Sequence, residues 1–91
     1  MKSSKKSEFF AGVYEGMVMT FFRCTYLNNE ENVKARNLIR SIAENVAASK
    51  WNEYKTQISS LEDAKLVGCQ VGEDGWESDD QMNSIIAEAS K

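Results

Sequence analysis

The chain of 91 residues contains no histidine and no proline, and only two cysteines. Without histidine there is no ordinary general base near neutral pH. Ser–His and Cys–His nucleophile pairs and histidine metal sites go with it. Cys24 and Cys69 stand far apart with no CxxC pair, so zinc is not expected. No GxxxxGK[ST] or GxGxxG occurs. The acidic run near the C-terminus fails as an EF-hand loop, which needs alternating oxygen ligands and a glycine at the sixth position. The carboxylate pairs Glu62/Asp63 and Asp79/Asp80 are sequence neighbours, which do not face each other on a helix. They sit where first-turn acids belong. These absences point away from an enzyme, and no cofactor or metal is expected.

What is present is led by residues 8–27, EFFAGVYEGMVMTFFRCTYL. On a helical wheel Phe10, Val13, Tyr14, Met17, Phe21 and Cys24 share one face. Val18, Met19, Phe22 and Tyr26 occupy the other, broken by Glu15 and Arg23. A helix apolar on nearly every side must be covered on more than one side. Two other readings compete. The segment is rich in strand-favouring residues, but the Phe9–Phe10 and Phe21–Phe22 pairs break strict alternation. It is also long enough to suggest a membrane span or a signal segment. Glu8, Glu15 and Arg23 argue against insertion, and no small-residue cleavage site follows.

The fold class read from these patterns is all-α. A helical hairpin, about 8–27 and 30–50, is followed by shorter C-terminal helices in a small bundle. Residues 1–7, MKSSKKS, read as a flexible basic arm, with Ser7 as N-cap of the first helix. Residues 8–91 form a single domain. Asn28 and Glu31 match a capping box that opens the second helix. Its core stripe is Ala35, Leu38, Ile39, Ile42 and Val46. After Lys50 the helix continues or restarts, with Trp51, Tyr54, Ile58 and Leu61 in helical register. Ser59 with Glu62 matches a second box, opening a short helix 60–67 that Gly68 terminates. Residues 69–76 read as a loop or a short extended segment. Ser78 with Gln81 matches a third box, opening a helix 79–90 with Met82, Ile85, Ile86 and Ala89 on one side.

The net charge of −3 is unevenly spread. Residues 1–50 carry eight Lys/Arg against five Asp/Glu; residues 51–91 carry three against nine. The halves can attract each other, or one of them can meet a charged partner. The most distinctive polar stretch is EDGWESDD, residues 73–80. Glu73, Asp74, Glu77, Asp79 and Asp80 surround Trp76, an aromatic anchor in a negative field. The plain alternative is an acidic helix start, with Trp76 folded back on the core.

A non-enzymatic, cytoplasmic binding protein is the leading expectation. It would occlude a larger macromolecular partner through the acidic patch, as accessory or inhibitor proteins of phage and mobile elements do. The partner is expected to be another protein; nucleic acid and membrane are not expected. Gly12 and Gly16, with Met19, Phe22 and Tyr26, offer a face for self-association as a homodimer. A second reading is a dimeric nucleic-acid-binding regulator using Lys34, Arg36, Asn37 and Arg40. A third is an exported immunity-type inhibitor with a Cys24–Cys69 bridge.

Overall fold

A computed structural model describes residues 4–91. Four helices appear in order: α1 (Lys5–Arg23), α2 (Asn29–Tyr54), α3 (Leu61–Glu73) and α4 (Asp79–Ala89). A short 3-10 turn (Lys55–Gln57) ends α2, and no strand occurs among the described residues.

Helix α1 starts three residues earlier than the wheel pattern suggests. Ser4, not Ser7, is the N-cap: its hydroxyl accepts from the Ser7 amide, and its own amide donates to Ser7 Oγ, each at 3.0 Å. Lys5–Ser7 therefore belong to the helix and not to an arm, while residues 1–3 lie outside the described residues. The helix stops at Arg23 although the apolar run continues to Leu27. Asn28 explains this. Its side chain accepts from the Glu31 amide at 2.9 Å, and its amide donates to Glu31 Oε2 at 3.1 Å. That box needs extended backbone at Asn28, so residues 24–28 become the connection.

Helix α2 runs unbroken past Lys50. Its buried stripe is Ala35, Ile39, Ala43 and Ala47; Leu38 is exposed, and Ile42 and Val46 are half-buried. The inward face is thus turned from the expected one and is made largely of alanine. Small residues there leave room for the large side chains of α1. Phe9, Val13, Met17 and Phe21 are all buried and form much of the core.

The largest departure is α3. Gly68 does not stop it, and the helix continues to Glu73, through residues expected to be a loop. Its glycines meet those of α1. A Cβ on Gly12 would collide with the Lys65 carbonyl oxygen, and one on Gly16 with the Cys69 carbonyl oxygen. A Cβ on Gly68 would meet the Phe9 carbonyl, and one on Gly72 the Val13 carbonyl. Two Gly-x-x-x-Gly faces therefore touch backbone to backbone, the geometry in which glycine permits closest helix approach. Cα–H groups there face carbonyl oxygens across the seam. Lys65 and Glu15 bridge its outer edge at 3.4 Å.

The α3 start is shifted by one residue from the expected box. Ser60 accepts from the Asp63 amide, and Asp63 Oδ2 accepts from the Ser59 amide, both at 3.0 Å. Helix α4 packs on α2, burying Ile85 and Ala89. Lys34 Nζ donates to the Lys91 carbonyl oxygen at 2.9 Å. So α1 is covered by α2 on one side and by α3 on another.

Candidate functional site

The acidic stretch is a stitched turn between α3 and α4. Asp74 caps α3, its amide shared between the Gln70 and Gly72 carbonyl oxygens. The Gly75 amide donates to the Gly72 carbonyl at 3.0 Å. Trp76 Nε1 donates to the Met17 carbonyl oxygen at 3.1 Å, and its indole stacks on Phe21 at 5.8 Å between ring centres. The Glu77 amide donates to Gln81 Oε1 at 3.0 Å. Gln81 thus ties the chain one residue before the N-cap; Ser78 holds that position with no side-chain cap bond.

Glu73, Asp74, Glu77, Asp79 and Asp80 are all exposed, while Trp76 is half-buried. None of the five carboxylates has an ion-pair partner among the described residues. Asp79 and Asp80 lie in the first turn of α4, where the helix dipole favours negative charge. The stretch therefore presents five exposed carboxylates around Trp76, with Asp74 and Glu77 towards α2 and Asp79 towards Cys24. A tryptophan whose ring lies on Phe21 and whose N–H is satisfied fits a holding part better than a protruding anchor.

The proposed self-association face does not hold together as one surface. Gly12 and Gly16 are buried against α3 of the same chain. Close approach is what these glycines allow, but the partner helix lies in the same molecule. Met19 and Tyr26 are exposed, Tyr26 fully so, and Phe22 is half-buried beneath Arg36.

The basic residues of α2 are partly engaged. The Arg36 guanidinium lies 5.3 Å from the Phe22 ring centre, and that of Arg40 lies 5.6 Å from the Tyr14 ring centre. Lys34 reaches the C-terminus, and Asn37 is exposed. Both cysteines are free thiols. Cys69 sits level with Gly16, whereas Cys24 lies eight residues further along, about 12 Å at 1.5 Å per residue. A disulfide needs Cα atoms within about 7 Å, so the bridge would require unwinding α1. Burial pushes the Cys69 thiol above its ordinary range; Glu15 and Glu73 add to the effect and Lys65 opposes it.

No three His, Cys, Asp or Glu side chains group to hold a metal ion among the described residues. No helix among them is long and apolar enough to cross a membrane. Comparison with protein families, curated proteins and solved structures finds no match.

Proposed function

We propose that the chain is a non-enzymatic binding protein that docks its acidic edge on a basic surface of a larger macromolecule and occludes it. One observation carries this reading. Five exposed carboxylates, without ion-pair partners among the described residues, lie on and beside a turn that Trp76 pins to the core and that Gln81 ties to the start of α4. A turn whose backbone is held in this way loses less conformational freedom on binding than a free loop. Charge complementarity of this kind speeds encounter and selects the partner. The reverse reading, docking on nucleic acid through α2, has less behind it. Lys34 of α2 is held on the Lys91 carbonyl oxygen, and the chain carries a net charge of −3.

The test is affinity capture followed by mass spectrometry, with Asp74→Asn, Glu77→Gln, Asp79→Asn and Asp80→Asn combined in one variant. A partner retained by the natural chain at low salt should weaken at least tenfold in the variant, with helical content unchanged. Capture that survives the four substitutions would show the acidic edge to be ordinary solvated surface.

A further inference from the structure

The α1–α2 hairpin is covered unequally. On one flank α3 lies along it, with Val46 and Tyr54 of α2 facing Val67 and Val71 of α3 across a shallow cleft. The other flank has no covering helix among the described residues. Two hollows run along it, of about 380 and 470 Å³, and both include Phe10. The first lies between Phe10 and Ala48–Trp51; the second lies between Tyr14 and Arg36–Arg40. Together they run along α2 from Arg36 to Trp51, about 22 Å at 1.5 Å per residue. That is the length of a four-turn helix.

The charge along this flank is mixed in the first hollow, which holds Lys6 and Glu44, and is led by Arg36 and Arg40 in the second. Arg36 and Arg40 sit one turn apart and have no carboxylate partner among the described residues. They are held over Phe22 and Tyr14, which orders the guanidiniums without neutralising them. Glu15, the acid on the α1 side, is bridged to Lys65 across the other edge of the helix. An apolar floor with two ordered, unpaired arginines along its second hollow fits carboxylates placed beside an apolar stripe. Arg also matches carboxylate geometry in a bidentate manner.

We propose that this open flank is a groove for an acidic amphipathic helix of a partner protein. The groove has no glycine in its lining, so an incoming helix would pack by side chains and not by the backbone contact that α3 makes with α1. A second copy seated face to face would set arginine rim against arginine rim, with Glu44 as the acid of the first hollow to relieve it. Nucleic acid would gain two arginines but would meet an apolar floor on a chain of net charge −3. The groove shares no residue with the acidic edge at 73–80, so the two readings can fail separately.

The experiment is selection of a displayed library of helical peptides on the full chain. Enriched sequences should carry an apolar i, i+3, i+4, i+7 stripe flanked by Asp or Glu. A selected peptide should bind the Arg36→Gln/Arg40→Gln variant at least tenfold more weakly. It should also be blocked by Ala48→Trp, which fills the first hollow. Circular dichroism should show both variants folded. No enrichment, enrichment without acidic bias, or equal binding to the arginine variant overturns the proposal. Displacement of the peptide by duplex DNA that binds more tightly would overturn it by placing nucleic acid there. A sedimentation dimer that the arginine variant dissolves would overturn it in favour of a second copy.

Discussion

The two seams of α1 are built on opposite principles. Against α3, four glycines bring backbone to backbone, and there is no room for one added methyl group. Against α2, bulky α1 side chains rest beside a stripe dominated by alanine, and the helices stand apart. The first seam leaves a hollow only along its outer edge, between Glu15 of α1 and Lys65, Leu66 and Cys69 of α3. The second leaves a trough along its uncovered flank, where Arg36 and Arg40 lie across aromatic rings.

Opposite substitutions should therefore damage the two seams. Gly72→Ala or Gly12→Ala would improve helix propensity in isolation. Here each forces α1 and α3 apart, and we expect a loss of about 3 kcal/mol, at the upper end for overpacking. In a domain of this size thermal unfolding should show a fall in Tm of at least about 12 °C. Gly75→Ala is the control. An added Cβ there would lie 3.2 Å from the Gly72 carbonyl oxygen, close but not colliding, so the change should stay within about 1 kcal/mol. If Gly72→Ala and Gly75→Ala cost the same, the tight seam is not what orders α3.

On the α2 side the damaging change is removal of a methyl group. Ala43 is fully buried. Ala43→Gly should cost about 1–2 kcal/mol through lost burial and added backbone freedom. Denaturant titration would check it, and an effect above that of Gly72→Ala would invert the contrast.

The smallest effect concerns the thiol beside the glycine seam. Burial holds the Cys69 pKa above its ordinary range, while Cys24 is exposed. In the folded chain Cys69 should react with a thiolate-selective alkylating reagent several-fold more slowly than Cys24 at mildly alkaline pH. The rates should converge in denaturant, and mass spectrometry of the two peptides would read both. The linkage sign follows. The folded state keeps its proton longer, so the associated stability is intact below the ordinary thiol pKa. It is lost as pH rises through the higher folded value. Equal rates in the folded chain would mean that the α1–α3 seam does not shield the thiol.

Much of the fold was legible one residue at a time. Asn28–Glu31 announced the second helix because a capping box is a local hydrogen-bond pattern. The length and all-round apolarity of α1 announced that it must be covered on more than one side. The error at Gly68 has the same local origin. In isolation a glycine after Val67 reads as a helix stop, because helices commonly end there. What keeps α3 helical through Gly68 and Gly72 is the backbone of α1, more than fifty residues earlier, which no local pattern contains. Gly12 and Gly16 read from the sequence as part of a self-association face, whereas their matching pair, Gly68 and Gly72, lies in the same chain. The acidic stretch was readable as composition, whereas the inward turn of Trp76 was not, since its acceptor is the Met17 carbonyl.

Composition and periodicity by themselves determined an all-helical chain without histidine chemistry, with a greasy first helix and an acidic second half. Those properties follow from residue type and spacing and need no long-range information. Tertiary structure decided which helix fills which side of α1, where the glycines spend their closeness, and which flank of the hairpin stays open. Those outcomes depend on contacts between residues distant in sequence, and a backbone carbonyl against a distant Cα leaves no mark on either residue's neighbours.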